Sequence, residues 1–295
     1  MRDLSGIYPP LPTSFRKDES LWPEMITRNI KSLLKHPLAG ILVLGSNGEM
    51  VMLDEKEKET VYSTAREAIP ADRIMIAGTG GQSTRETIRL TIMAASHGAD
   101  AVLVLNPSYY RGLMTTPALR DHYFAVADES PVPVLIYNMP ANSGMDMDAQ
   151  AIALFAGHKN IIGVKDSGGN LVKMSEIARL TPRGFNIFAG SASFLLPAMT
   201  VGATGGILAL ANVAPELCLG IRKNFLSGNM ETASALQRRA VPLNSAVTSA
   251  GGVPALKCVM DEAGLYGGAV RRPLQLPEEE KRKELIALFK AENIV

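Results

Sequence analysis

The sequence predicts a (β/α)8 barrel carrying a C-terminal helical extension. Eight short apolar runs alternate with longer amphipathic stretches as far as about residue 211. Most of those runs are continuously apolar, as parallel strands buried on both faces are. A doubly wound open sheet is the competing arrangement. It would place a glycine-rich dinucleotide turn after the first run, and "PPLPTSF" is not one.

The strand candidates, in order, are 6–15, 40–46, 73–80, 101–107, 133–140, 161–167, 185–191 and 205–211. Helix signals lie between them. Pro23 opens the first helix at a tolerated position, and Ile26, Ile30, Leu33 and Leu34 follow at helical spacing. "DEKE" (54–57) and "STRE" (83–86) each set a capping side chain three residues ahead of a glutamate. Stretches 116–128, 146–158 and 170–180 continue the series. Stretch 192–202 contains Pro197, which should kink or shorten its helix. Beyond it the chain reads as helices only: 214–227, 231–248, 253–264 and 277–291. The division drawn from this pattern is a barrel over 1–224 and a helical extension over 225–295.

Thirty basic and twenty-nine acidic residues leave a net charge of +1, which offers no field for nucleic acid or an anionic membrane. No apolar run has the length of a membrane span, and the first residues carry no secretory h-region or basic amphipathic pattern, so the expectation is a cytoplasmic protein. Cys218 and Cys258 fit no metal spacing and read as buried free thiols. His36, His97 and His158 end helix-like stretches, where a cation is favoured. No histidine pair has ligand spacing, so neither a metal site nor a Ser-His-Asp site is expected.

Barrel enzymes react at the C-terminal ends of their strands. Those ends collect Thr13 and Ser14, "GSNGE" (45–49), "GTGG", "NPSYYRG", Tyr137-Asn138, Lys165 and Gly190-Ser191. Lys165 closes the apolar run "IIGVK", an unusual place for an ammonium. Low dielectric disfavours the charged form of a lysine, and a neutral amine attacks a carbonyl to form a Schiff base. A lysine paired with Asp166, or reaching for solvent, is the plain alternative. Neighbouring strand residues point to opposite faces, which separates Asp166 from Lys165 and returns Ser167 to the lysine's side. Tyr137 ends the adjacent strand and is the natural proton carrier. "GSNGE" offers backbone N–H groups and the Ser46 hydroxyl to a carboxylate. Tyr109 and Tyr110 form a loop tip suited to an interface or to covering the mouth.

"GSNGE", "NPSYY", "YNMPANSG", "GVKDSGG" and "AGSASF" stand in the order and spacing of the dihydrodipicolinate synthase/N-acetylneuraminate lyase family, which the chain resembles over essentially its whole length. Within it, "SYYRG" and "PANSGMD" are most similar to the 4-hydroxy-2-oxoglutarate aldolases. The resemblance implies a class I, pyruvate-linked aldolase without cofactor or metal. Lys165 would carry the Schiff base and Tyr137 would shuttle the proton. Ser46 and Asn47 would hold the substrate carboxylate. Tyr110 would complete a hydroxyl relay in a neighbouring subunit. Ser167 would face the distal end of the substrate, and Gly190 and Ile207 would line the pocket through their backbones. A homotetramer is implied, built as a dimer of dimers.

Two positions separate the family's branches. Dihydrodipicolinate synthases usually have two threonines where this chain has Ser46-Asn47. They also carry an arginine for the aldehyde substrate's carboxylate where this chain has Asn142, and such charge-assisted contacts are the strong ones. The expectation is therefore cleavage of a 4-hydroxy-2-oxo acid to pyruvate and an aldehyde. Aspartate semialdehyde condensation, cleavage or dehydration of a 2-keto-3-deoxy sugar acid, and a non-catalytic 2-oxo acid-binding barrel are the alternatives.

Overall fold

The computed structural model describes residues 2–295. Its centre is one sheet of eight parallel strands: β1 (Gly6–Tyr8), β2 (Gly40–Val43), β3 (Ile74–Gly78), β4 (Ala101–Leu105), β5 (Val134–Asn138), β6 (Ile161–Asp166), β7 (Asn186–Ala189) and β8 (Gly205–Ile207). Each strand pairs with the next from β2 to β8, and β8 returns to β1. A single parallel bridge, Pro10 to Leu42, closes the ring between β1 and β2. The expected (β/α)8 barrel is the observed fold.

Strands are shorter than their apolar runs. β1 occupies three residues of 6–15, because Pro9, Pro10 and Pro12 have no N–H to donate to a ladder. β8 likewise stops at Ile207, and 209–212 coil into a 3-10 turn. The surplus residues become the rim, where the chain is free to present side chains upward.

The helices of the barrel are α1 (Pro23–Leu33), α2 (Glu55–Ala68), α3 (Thr84–Ser96), α4 (Thr116–Glu129), α5 (Pro140–Ser143), α6 (Ala149–Phe155), α7 (Leu171–Leu180) and α8 (Leu195–Thr200). Pro23 opens α1, which buries Ile26, Ile30 and Leu33. α2 begins with a complete capping box: Asp54 accepts from the Glu57 N–H at 2.8 Å and Glu57 accepts from the Asp54 N–H at 2.9 Å. Such a cap contributes about 1 kcal/mol. At α3 only half the box forms, with Ser83 accepting from Glu86 N.

Two helices are shorter than their stretches. The stretch 146–158 gives a helix only from Ala149, because Asp148 is its N-cap and accepts from Ala151 N at 2.7 Å. The stretch 192–202 is shortened, as its proline predicts, to a 3-10 turn at 192–194 and α8. α8 begins at Leu195, so Pro197 falls among the first residues, whose N–H groups have no helical partner anyway.

Beyond the barrel lie α9 (Pro215–Leu226), α10 (Met230–Ala246), α11 (Gly252–Glu262) and α12 (Glu279–Ala291). A division at 224/225 cuts α9 just before its end, and α9 packs on β1 and α8. α10 grips the loop after β7: Asn244 Nδ2 donates to Ser191 Oγ at 2.8 Å and Gln237 Nε2 to the Ala192 carbonyl at 2.8 Å. Among the described residues no helix is long and apolar enough to cross a membrane.

Apolar side chains divide between two cores. One lies between sheet and helices and contains Ile41, Val104, Ile136 and Val164. The other fills the barrel itself, with Tyr8, Leu42, Ile76, Leu103, Leu135, Tyr137, Phe188 and Ile207. Alternation along each strand sends Ile136 outward and Tyr137 inward, and this fixes what reaches the site.

Candidate active site

Lys165 stands one residue before the end of β6, in register with Tyr137 of β5 and Phe188 of β7. All three belong to one inward-facing row at the top of the barrel. Lys165 and Tyr137 are each 4% exposed. Lys165 Nζ lies 4.1 Å from the centroid of the Tyr137 ring. Among the described residues no carboxylate pairs with this amine.

Asp166, the neighbour in sequence, faces the other way. It is fully buried outside the barrel wall. Its carboxylate accepts from Lys173 Nζ at 2.8 Å, Asn138 Nδ2 at 2.9 Å and the Gly168 N–H at 2.8 Å. Lys173 of α7 also pairs with Asp146, and Asn138 Nδ2 donates to that carboxylate at 2.7 Å. Asn138 follows Tyr137 and Asp166 follows Lys165. Their bond therefore ties the two strand ends directly behind the two inward side chains.

Burial pushes the Tyr137 phenol upward. The nearby Lys165 ammonium and the Ser46 hydroxyl outweigh it and hold the group below the ordinary tyrosine value. A phenol so placed gives up its proton more readily than a free one. Its Oη lies 3.4 Å from Ser46 Oγ.

Ser46 and Asn47 form a half-buried 3-10 turn with Gly48 at the top of β2. Thr13 Oγ1 donates to the Gly48 carbonyl at 2.6 Å and fixes the turn to the end of the first run. The backbone is strained on both sides of it: Leu44 has φ 52° and Glu49 φ 54°. A left-handed conformation in such residues costs about 1–3 kcal/mol and tends to be kept at functional sites.

Ser167 Oγ is buried with no hydrogen-bond partner among the described residues. Gly190 makes room for it: a Cβ at Gly190 would lie 2.0 Å from that oxygen. The Gly190 N–H donates to the Asp166 carbonyl at 2.8 Å, so the β6 and β7 ends stay together. Ile207 is fully buried in the barrel core below them.

The structure thus gathers Lys165, Tyr137 and Ser46, with Ser167 against Gly190. Tyr110 and Asn142 stand apart from that group. Tyr110 is 67% exposed and meets Tyr109 edge-on, with ring centroids 5.0 Å apart. Gln82 Oε1 accepts from the Ser108 and Tyr109 N–H groups at 3.0 Å each and holds the base of that loop. Asn142 is exposed on α5. Broad grooves elsewhere, beside His36 and Arg222 or beside Glu262 and Arg282, lie on outer helices and carry no comparable reactive grouping.

Reading the sequence missed Asp146, Lys173 and the buried Lys257, and gave Asn138 and Asp166 no bracing role. Lys257 carried the same signal as Lys165, a lysine inside an apolar run ("VPALKCVM").

Residues 3–292 match the Dihydrodipicolinate synthetase family. A probable mitochondrial 4-hydroxy-2-oxoglutarate aldolase of Emericella nidulans is 38% identical over 97% of this chain and 94% of its own. An L-threo-3-deoxy-hexylosonate aldolase of Hypocrea jecorina is 37% identical over 93% of this chain and 91% of its own. A solved structure of a prophage protein of E. coli K12, of the dihydrodipicolinic acid synthase family and in complex with pyruvate, superposes with a TM-score of 0.92 at 26% identity, covering 99% of both chains. The chain belongs to the dihydrodipicolinate synthetase family.

Proposed function

We propose that the chain is a Schiff-base aldolase that cleaves a 4-hydroxy-2-oxo acid to pyruvate and an aldehyde. Family membership and the aldolase names of its relatives make it a carbon–carbon lyase. The observation that carries the mechanism is Lys165: buried, facing into the barrel, unpaired among the described residues, and beside the Tyr137 phenol.

In this scheme the substrate carboxylate sits on the Ser46-Asn47 turn. Lys165 Nζ, as the neutral amine, attacks the C2 carbonyl, Tyr137 gives its phenol proton to the departing hydroxyl, and loss of water leaves a protonated imine. The Tyr137 phenolate takes the proton of the C4 hydroxyl. The C3–C4 bond breaks, and its electron pair moves into the C2–C3 bond as the imine becomes an enamine. The new carbonyl leaves as the aldehyde. The enamine is then protonated at C3, and water releases pyruvate from the lysine. The imine is the electron sink, so the scheme uses no metal or other cofactor. Acid–base help from a positioned phenol is worth roughly 10²–10⁴-fold.

Glyoxylate is the aldehyde that the Emericella relative's name supports. Asn142 argues against aspartate semialdehyde, because an amide does not replace a bidentate guanidinium. A second subunit placing Tyr110 over the mouth, within a dimer of dimers, accounts for two adjacent exposed tyrosines on a braced loop.

Borohydride reduction in the presence of pyruvate tests the reading. The peptide containing Lys165 should gain the mass of a reduced pyruvate adduct. Lys165→Ala should form none and lose at least about a thousandfold in pyruvate release. An unlabelled Lys165 peptide, or substantial turnover by the variant, would sink the mechanism.

A further inference from the structure

Glu49 ends the Ser46–Gly48 turn in a left-handed conformation, and its side chain leaves the site instead of entering it. The carboxylate is buried against the C-terminal extension. Lys257 Nζ, on α11, lies 2.6 Å from Glu49 Oε1 as an ion pair. The Arg271 N–H donates to Oε2 at 2.9 Å.

Lys257 itself is 0% exposed. It also donates to the Ala269 carbonyl at 2.6 Å and stands 4.6 Å from the centroid of Phe15. The Arg271 guanidinium lies 4.4 Å from the same ring. It donates to both Glu57 oxygens, at 2.6 and 2.7 Å, and to the Met52 carbonyl at 2.9 Å. The Phe15 backbone bridges to Ala269, and Tyr266 Oη donates to the Phe15 carbonyl at 2.8 Å. Both ends of the rim that carries the turn are therefore clasped by residues 257–271. Burial pushes the Lys257 ammonium below its ordinary value, and Glu49 pulls it back.

None of these groups acts in the proposed reaction. Stability alone does not account for the pair either. A buried ion pair is often no better than well-packed apolar residues, and its best-attested use is to specify one conformation. The conformation specified here is the turn that presents Ser46 and Asn47, whose left-handed exit at Glu49 would otherwise relax.

We infer that Glu49 and Lys257 are positioning residues, through which the C-terminal extension holds the carboxylate-binding turn in shape. The inference rests on the reading that this turn takes the substrate carboxylate.

The test compares trapping of pyruvate and of methyl pyruvate by borohydride at Lys165. The ester keeps the reacting ketone and lacks the charge. The variant is Glu49→Gln/Lys257→Met, which removes both charges and strands neither. Circular dichroism should match the parent. Half-maximal trapping should need about tenfold more pyruvate, while the requirement for methyl pyruvate stays within about twofold. KM for the 2-oxo acid should rise with little change in kcat. If the double variant does not fold, Glu49→Asp keeps both charges, shortens the arm, and should shift the same ratio. An unchanged pyruvate-to-ester ratio, or parallel weakening of both, overturns the inference. Failure of the parent protein to trap pyruvate at all would instead remove the aldolase reading beneath it.

Discussion

His122 shows how much one buried side chain can impose on the whole fold. It sits on α4 with Nδ1 2.9 Å from Thr84 Oγ1, and its Nε2 is buried without a partner among the described residues. Burial lowers its pKa from 6.5 to about 4. The unfolded chain therefore takes up this proton first as the pH falls. The contribution is fully present above about 6.5 and is lost as pH drops through about 4, to the extent of about 3 kcal/mol. Urea unfolding at about pH 7 and about pH 4.5 measures it. His122→Leu should show a shallower loss of stability across that interval than the parent, and equal slopes would contradict the assignment. Of the reactive side chains, Lys165 was legible in the sequence because a charge ends an apolar run. The opposed directions of Lys165 and Asp166 followed from strand alternation. Lys173 was not legible: it joins Asp146 to Asp166 across two elements, and no local pattern records such a contact.

The strand order and the alternation of elements could be read from the chain, because each strand is an apolar run and each helix has a start signal. Lengths could not. An apolar run continues past the last ladder bond, and only the geometry of the rim decides where pairing ends. Prolines 9, 10 and 12 were the visible sign that the first run could not pair throughout. Pro197 marked the shortening of its helix, but not where the α-helical turns begin, which the apolar pattern does not show. The 3-10 turn at 46–48 and the left-handed Glu49 beside it lie equally outside any periodicity. They are held by Thr13 and by Lys257 and Arg271 of the extension, all far away in the chain. The anchors of the candidate site are thus long-range, while its reactive groups sit at strand ends.

At the level of the assembled molecule, Tyr110 is the informative residue. In the proposed dimer it serves the neighbour's site, so two damaged chains should repair each other. Mixing Lys165→Ala with Tyr110→Phe, after dissociation and reassociation, places an intact lysine and an intact tyrosine together at about a quarter of the sites. Activity should rise above the sum of the separate variants. Activity that only adds would remove Tyr110 from the neighbour's site.

The packed barrel interior decides the traffic. Below Lys165 the lumen is filled by Tyr8, Leu103 and Leu135, each at most 1% exposed, and Phe188 of the lysine's own row meets Tyr8 edge-on at 5.9 Å. Nothing enters from beneath. In the proposed scheme the water that hydrolyses the imine uses the opening through which the aldehyde departs, so the aldehyde leaves before hydrolysis begins. The two products consequently leave in a fixed sequence, aldehyde first and pyruvate last. Product inhibition exposes this order. Pyruvate should compete with the 4-hydroxy-2-oxo acid and glyoxylate should inhibit noncompetitively, and the reverse pattern would require a second way in.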